Sequence, residues 1–373
     1  MKAHSAVVLS LAVLLVGFGS APSLPPGYEE LLHRYASGDR DGALREVGAW
    51  PDVRLRDTVR QASSLAKTAA ACAERDCVPA LVWERFPVRV ALMLHSDAAD
   101  QARRVGGSPR LHESAALEFA RIAVTEVPRP GSEMRQFVAR WYAAVALQSQ
   151  ADARFEEALA WADRGLTAFP ESADLLLVVG SVEEVLAAQS SVAVSEDLLQ
   201  DTSTRRLGAE WATSRERREH LARARQAMLR AVAAAPERRD VRIRLGRIAW
   251  KLGDGPAADA ALRSVLASAA APSEAYLAQL FLGRVFEDEG RLEDAADAYA
   301  AAKGIERQSQ TAPLALSHVR LLLGDPADAR QQLELAIRPA GFRFTNDPFW
   351  VYPWGASSEA AARLQTLRRE ASS

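Results

Sequence analysis

The stretch FLGRVFEDEGRLEDAADAYAAA, residues 281–302, places glycines and alanines at regular intervals among larger apolar side chains. Its apolar residues recur at helical spacing before and after Gly290, which predicts two helices joined by a turn. Gly283 lies on the first predicted helix, and Ala295 and Tyr299 lie on one stripe of the second. The stretch contains no obvious nucleophile, metal cluster or phosphate-binding loop, so its role has to be sought in the spacing.

The same spacing recurs on both sides of this stretch. The matched residues lie 37 positions earlier and 34 positions later, and they are Leu245, Gly246, Gly253, Ala258, Leu262 and Val265 upstream and Leu316, Gly324, Ala329, Leu333 and Ala336 downstream. Almost every segment after Pro26 shows helical spacing, and no run shows the period of two that is typical of a strand. The sequence therefore predicts an all-α array of stacked helix pairs.

This pattern resembles the tetratricopeptide repeat, in which the first helix carries Leu-Gly and the second carries Ala, an aromatic residue, Ala and a closing Pro. Pro170 and Pro236 match the closing proline, and Gly180 and Gly246 follow at the small position of the next first helix. The resemblance extends over about residues 139–339. It implies a right-handed superhelical solenoid of stacked antiparallel helix pairs.

The quality of the match divides the chain into parts. Residues 26–135 are predicted to form degenerate helix pairs, residues 136–340 the repeat array, and residues 341–373 an aromatic C-terminal cap and tail. Two closing prolines are 66 residues apart, at 170 and 236, so the array contains an insertion at about residues 187–217. A long insertion is either a functional loop or an elongation of the two helices, and both readings stay open.

The N-terminus has the layout of a secretory signal peptide, predicted over residues 1–21. Lys2 precedes an apolar run from Ala6 to Phe18, which is followed by small residues. The run is shorter than the ~20 residues that span a bilayer. We therefore expect an exported, periplasmic or secreted protein, in which Cys72 and Cys77 meet oxidising conditions. A local disulfide between them needs a turn, and the disulfide and two free thiols stay equally open.

Charge and motifs exclude several classes of function. The formal net charge is only -2, so no global field favours nucleic acid or an anionic membrane surface. The sequence contains no GxxxxGK[ST], GxGxxG, HExxH, GxSxG or CxxC motif. We therefore predict a protein that is not an enzyme, with no cofactor and no metal, and that meets a membrane only through a partner.

One alternative places a catalytic or metal site in the poorly matched region, residues 57–135. His95 and His112 are candidate ligands there, joined by Asp97 or Glu113. Two ordinary helix histidines are the competing interpretation. Convergence of both histidines with a carboxylate would favour the metal site.

The resemblance implies that a partner binds on the concave face, which is lined by the first helix of each pair. The mapped positions are Ile243, Arg247, Trp250, Lys251, Leu280, Arg284, Glu287, Asp288, Leu314, His318 and Leu321. The predicted partner-binding residues are Arg247, Trp250, Lys251, Arg284, Glu287, Asp288 and His318. Guanidinium and ammonium groups suit a carboxylate, and Trp250 suits an apolar anchor. We expect a non-enzymatic scaffold or adaptor for a protein or peptide in the cell envelope.

The densest aromatic patch follows the array. Phe349, Trp350, Tyr352 and Trp354 are predicted to cover the exposed face of the last helix pair, since an array leaves that face open. The alternative function is a stacking surface for a peptide or sugar.

Overall fold

The computed structural model describes residues 27–73, 88–125, 133–197, 205–337 and 347–372. Every element within these ranges is helical, and the chain divides into two compact units. The predicted signal peptide and Cys77 lie outside the described residues, so the signal-peptide and disulfide predictions stay predictions. None of the described helices is long and apolar enough to cross a membrane.

The first unit holds the residues up to Arg135 together with Arg368–Ser373. Its described helices are α1 (Tyr28–Ala36), α2 (Arg40–Gly48), α3 (Asp52–Ala73), α4 (Val88–Arg104) and α5 (Arg110–Thr125). α5 packs along both α3 and α4, while α1 and α2 pair with each other and contact α4. The buried side chains of Tyr28, Met93 and Phe119 give this unit a core of its own, although its sequence misses the repeat positions.

The second unit holds Gln136–Leu367. The α-helices that belong to it wholly or for the most part are α6 (Glu133–Ala151), α7 (Phe155–Ala168), α8 (Ala173–Asp197), α9 (Arg205–Ala234), α10 (Arg239–Lys251), α11 (Gly255–Leu266), α12 (Pro272–Asp288), α13 (Leu292–Ile305), α14 (Thr311–Leu322), α15 (Pro326–Ile337), α16 (Pro348–Val351) and α17 (Ala360–Ser372). From α8 to α15 each helix packs against the next one in the chain. Within the described residues, the prediction of an all-α chain built from stacked helix pairs is confirmed.

A short turn with a left-handed residue joins the two helices of each repeat pair. Gly253, Gly290 and Gly324 take φ values of 80°, 73° and 81° at equivalent points of three pairs. Glycine suits these points because it lacks the Cβ that makes positive φ costly. Ala153 occupies the same point between α6 and α7, with φ 57°. The turn geometry thus recurs even where the glycine is missing.

Small residues let the two helices of a pair approach closely. A Cβ at Gly283 would lie 2.3 Å from Cε1 of Tyr299, so the ring of α13 lies directly on the backbone of α12. A Cβ at Gly246 would likewise lie 2.6 Å from Cγ of Leu262. Ala295 is fully buried. The residues that carry the repeat spacing therefore serve helix packing.

The residues that separate Pro170 from Pro236 lengthen two helices. α8 and α9 contain 25 and 30 residues, whereas the later helix α12 contains 17. The two long helices pack along each other. At the described positions the insertion at about residues 187–217 is thus helical, as expected if it elongates the two helices.

Candidate functional site

The first helices of successive pairs contact one another, because α10 touches both α8 and α12. We call the surface formed by α8, α10, α12 and α14 the first-helix face. It carries Glu184 on α8, Arg247 on α10, Arg284 on α12 and His318 on α14. All seven predicted partner-binding residues belong to these helices, so the structure brings the predicted site onto one set of elements.

The chain's own residues 347–354, here the C-terminal segment, cross this face from α14 towards α8. Asp347 contacts the start of α14, whereas Tyr352 packs against Phe281 of α12 and reaches Glu184 of α8. We expected the aromatic residues of this segment to cover the last pair, α14 and α15. Those that are buried lie on α10 and α12 instead, because the ring of Phe281 and the arginines of α10 offer them aromatic and cation–π contacts.

Asp347 fixes one end of the C-terminal segment. This residue is fully buried, and its Oδ2 accepts hydrogen bonds from the backbone N–H groups of Gln310 and Thr311, at 3.1 and 2.9 Å, and from the Thr311 hydroxyl, at 2.7 Å. Its Oδ1 accepts from the Tyr276 hydroxyl at 2.9 Å and from the Phe349 N–H at 3.0 Å. The carboxylate thus satisfies N–H groups at the N-terminus of α14, where negative charge is favourable.

Tyr352 fixes the other end. Its ring meets Phe281 edge-on with the centroids 5.1 Å apart, and the guanidinium carbons of Arg244 and Arg247 lie 4.5 and 4.7 Å from the ring centre. Its hydroxyl donates to Oε2 of Glu184 at 3.1 Å, and its carbonyl accepts from Arg244 at 2.7 Å. We call these four surrounding residues the tyrosine pocket.

Glu184 is the centre of a buried charge cluster. Its carboxylate accepts hydrogen bonds from Arg244 at 2.9 Å and from Arg247, and Nζ of Lys251 lies 3.5 Å away. Burial alone would raise the pKa of this carboxyl, but the three positive charges outweigh burial and lower the pKa to about 2. Burial lowers the pKa of Lys251 to about 8, although Glu184 opposes that change. Glu184 is therefore ionised, and the predicted binding residues Arg247 and Lys251 hold a carboxylate of the chain itself.

A cavity of about 210 Å³ lies beside this cluster. Glu184, Arg244, Arg247 and Lys251 line it together with Pro353 of the C-terminal segment. Among these lining side chains three are cationic and one is anionic. The Nε atom of Arg247 is buried and has no hydrogen-bond partner. The cavity therefore favours an additional acceptor or anion.

The remaining predicted site residues surround a second carboxylate, Glu287. Its Oε2 accepts from the Tyr299 hydroxyl at 2.6 Å and lies 3.4 Å from Arg284, and Nε2 of His318 lies 3.4 Å from its Oε1. The side chains of Arg284 and His318 are 44% and 56% exposed. Unlike Glu184, this carboxylate has neighbours that remain accessible to solvent.

The other mapped positions divide between the core and the surface. The Trp250 indole N–H donates to Asp288 at 2.7 Å, in an exposed contact. Ile243 and Leu280 are buried in the core of the helix pairs, so they do not line an accessible surface. Leu314 and Leu321 on α14 are exposed. The accessible part of the first-helix face is thus formed by α12 and α14.

In the first unit, the two histidines of the metal-site alternative do meet. Their Nδ1 atoms lie 3.1 Å apart, and Nε2 of His95 lies 2.9 Å from the Tyr28 hydroxyl. Burial, assisted by His112, lowers the pKa of His95 well below its usual value. Burial also lowers the pKa of His112 to about 4. Both rings are therefore neutral near pH 7, and one donates a hydrogen bond to the other.

The carboxylates that this alternative needed are engaged elsewhere. Asp97 accepts from the Tyr35 hydroxyl at 2.6 Å and pairs with Arg368 at 2.7 Å. Glu113 pairs with Arg103. Within the described residues, no group of three or more His, Cys, Asp or Glu side chains could hold a metal ion. The pair of histidines thus fits the competing interpretation, a hydrogen-bonded contact inside a core.

Sequence reasoning missed Glu184, Arg244 and Phe281 as parts of the site. One signal was available for Glu184, since it follows the apolar run from Leu175 to Val182 with only Glu183 between them. A carboxylate on such a buried helix needs a cationic partner. The identity of that partner depends on tertiary contacts that the repeat spacing does not specify.

The match to a known protein family lies within the repeat array. Residues 210–258 and 244–313 match the protein family described as Tetratricopeptide repeat. A comparison with curated protein sequences found no match. Pseudomonas aeruginosa PilF is 14% identical over 62% of this chain and 90% of its own, with a TM-score of 0.43. PilW, described as a type IV pilus biogenesis factor, is 16% identical over 61% and 93%, with a TM-score of 0.43. YrrB, described as "a TPR protein with an unusual peptide-binding site", is 18% identical over 58% and 90%, with a TM-score of 0.37.

The matched residues belong mainly to α9–α13, the helices in which the glycines and alanines of the repeat spacing make the close contacts described above. At such TM-scores the assignment rests on the family match and on the helix pairs themselves. The predicted resemblance is confirmed for residues 210–313, which match the tetratricopeptide-repeat family.

Proposed function

We propose that this protein is a non-enzymatic scaffold in the cell envelope that binds a segment of another protein on its first-helix face. The observation that supports the proposal is the C-terminal segment, which occupies part of this face in the way a bound peptide would. Two side chains anchor it, at Asp347 and Tyr352, and Arg244 binds its backbone at the Tyr352 carbonyl. Such alternation of side-chain pockets and backbone contacts is typical of peptide recognition.

The accessible part of the face supplies a docking surface for the partner. The side chains of Arg284 and His318 lie next to Glu287 and are exposed. Leu314 and Leu321 add exposed apolar side chains on α14. Such a mixture of charged and apolar side chains is typical of interfaces that form and dissociate. A partner segment with acidic and apolar residues fits this surface.

Crosslinked purification from intact cells of the source organism tests the proposal. The variant carries Arg284→Glu, Leu314→Ala and His318→Ala, all at exposed side chains, so we expect its fold to persist. The matched control carries Arg263→Glu on the second helix α11, where Arg263 is 58% exposed. We expect the triple variant to lose partners that the wild type and the control retain. Retention of the same partners by the triple variant would show that this face does not bind them.

The proposed location in the cell envelope rests on residues 1–21. Cell fractionation of the full chain and of a chain lacking those residues tests it. We expect the full chain in the periplasm or the medium and the shortened chain in the cytoplasm. Cytoplasmic recovery of the full chain would contradict export.

A further inference from the structure

The C-terminal segment covers the part of the first-helix face that would otherwise be open to a partner. We infer that this segment is an internal competitor, and that the partner brings a tyrosine, accompanied by an acidic group, into the pocket that Tyr352 now fills. The inference rests on the proposed function. It adds the chemical class of the ligand and the reason why access to the pocket is restricted.

The segment is attached at a few points rather than buried along its length. Asp347 and Tyr352 are buried, whereas Trp350 and Trp354 remain 47% and 43% exposed. The helix α16 between the two anchors has only 4 residues, too few to be stable on its own. Removal of the Tyr352 side chain therefore leaves the hydrogen bond from Arg244 to the backbone carbonyl as the described contact that holds the segment on α10. A replacement ligand has to provide what Tyr352 provides.

The tyrosine pocket is suited to tyrosine rather than to any aromatic ring. Phe281 and the two arginines contact the ring faces and edge, which phenylalanine would also satisfy. The hydroxyl, however, donates to the buried carboxylate of Glu184. A site built to hydrogen-bond a hydroxyl discriminates strongly against an analogue without it, because a buried polar group then loses its partner. The pocket should therefore prefer a tyrosine-bearing peptide.

The surroundings of the pocket favour negative charge next to that tyrosine. In the C-terminal segment the residue after Tyr352 is Pro353, which lines the cavity beside Arg247 and Lys251. Pro353 carries no charge that could balance the cations of the cavity, and Nε of Arg247 has no hydrogen-bond acceptor. A carboxylate in place of the proline would lie in the cavity that Arg247 and Lys251 line. A partner with tyrosine followed by an acidic residue is thus better matched to the pocket than the chain's own segment.

Competition follows from the covalent connection. A tethered segment has an effective concentration on the order of millimolar, so it occupies its pocket even when its intrinsic affinity is weak. A ligand that needs the vacant pocket then binds more weakly by the fraction of molecules in which the pocket is free. If the segment is bound in 90 to 99% of molecules, the apparent affinity falls by roughly 10- to 100-fold.

Fluorescence anisotropy with synthetic peptides tests the inference on the full chain. The probe is the labelled peptide DPFWVYPWG, the sequence of residues 347–355, and the proteins are the wild type and Tyr352→Ala. We expect Tyr352→Ala to bind the probe at least tenfold more tightly than the wild type. Phe349→Ala, which weakens the segment while keeping Tyr352, serves as a second release variant if Tyr352→Ala does not give the helical circular dichroism of the wild type.

Three further peptides test the chemistry of the pocket. Replacing the tyrosine of the probe by phenylalanine or alanine should weaken binding to Tyr352→Ala by about tenfold or more. Replacing the proline after the tyrosine by glutamate should strengthen it. Equal binding by wild type and Tyr352→Ala, no binding to either, or equal binding of the tyrosine, phenylalanine and alanine peptides would overturn the inference. A glutamate peptide that binds no better than the probe would remove the acidic group from the ligand class.

The result of the peptide test can be distinguished from the result of the test of the proposed function. Loss of partners in the Arg284→Glu, Leu314→Ala, His318→Ala variant tests the accessible part of the face, where Arg284 and His318 remain exposed. If the peptides do not bind as expected and that variant still loses its partners, the inference about the tyrosine pocket is wrong and the scaffold proposal is still supported. If the peptides bind as expected and that variant keeps every partner, the proposal that partners bind the accessible part of the first-helix face is wrong.

Discussion

Two parts of the first-helix face have similar composition, but their basic side chains differ in exposure. In the covered part, Glu184 is surrounded by cations beneath Tyr352, and the side chains of Glu184 and Arg244 are 2% and 5% exposed. In the open part, Glu287 has Arg284 and His318 as neighbours, and both of these remain well exposed to solvent. Each part therefore places a carboxylate among basic side chains on the first helices.

The difference shows that burial, rather than residue type, decides whether such a cluster of charges stabilises the fold or remains available to a ligand. Charges removed from water interact strongly, and each becomes costly to leave without a partner. Charges that stay in water interact weakly, so they remain available to an incoming ligand. The covered part therefore stabilises the fold and holds the C-terminal segment, while the open part is suited to partner exchange.

The largest expected effect comes from neutralising Glu184, and Glu287 provides the comparison. Glu184→Gln leaves three buried cations without their counter-charge and should reduce the free energy of unfolding by about 3–5 kcal/mol. Glu287→Gln should cost about 1 kcal/mol or less, because solvent screens its neighbours. Urea unfolding followed by tryptophan fluorescence measures both. Equal losses would contradict the comparison.

Acid should remove the contribution of Glu184. Its pKa in the folded protein is about 2, below the ordinary value of 4.5, so its stabilising effect is complete above pH 4.5 and is lost as the pH falls towards 2. The difference in unfolding free energy between wild type and Glu184→Gln should shrink by about 1.4 kcal/mol for each pH unit in that window. Urea titrations at pH 5, 4 and 3 measure it. A difference that stays constant across these pH values would show that Glu184 is not held by charge.

A matched pair of tyrosines compares the hydroxyl groups. Tyr352→Phe removes the donor to Glu184 in a buried setting and should cost about 1.5–3 kcal/mol. Tyr299→Phe removes the donor to Glu287, whose surroundings admit water, and should cost about 1 kcal/mol. Thermal unfolding of the two variants gives the ranking. The reverse order would place the stronger hydrogen bond in the open part.

The smallest expected effect is that of His318→Ala. This side chain is more than half exposed, so its removal should change the unfolding free energy by less than about 0.5 kcal/mol. Leu316→Ala on the same helix is the control, since Leu316 is buried and should cost about 2–5 kcal/mol. A comparably large loss for His318→Ala would mean that this residue supports the fold rather than the surface.

The repeat spacing predicted the helix pairs because it reports local packing. Gly283 against Tyr299 and Gly246 against Leu262 are contacts between neighbouring helices, so their signals lie close together in the sequence. The turn between the helices of a pair is equally local. Ala153, with φ 57°, shows where tertiary packing imposes the turn on a residue that disfavours it.

The covered part was not predictable in the same way. Arg244 and Tyr352 meet Glu184 from 60 and 168 positions away, and no periodicity links them. Arg247 and Lys251 were expected to hold a partner's carboxylate, and they hold one from the chain itself. The residue types and their face were predictable, whereas their occupant depends on the path of the C-terminal segment.

Site-specific photo-crosslinking measures most directly whether the first-helix face binds the partner. A photoreactive phenylalanine analogue replaces His318 or Arg284 on the face, and Arg263 or Glu334 on second helices as controls, each in the full chain in intact cells. We expect a partner to be crosslinked from positions 318 and 284 and not from positions 263 and 334. Crosslinking confined to the control positions, or equal from all four, would contradict the assignment of the first-helix face.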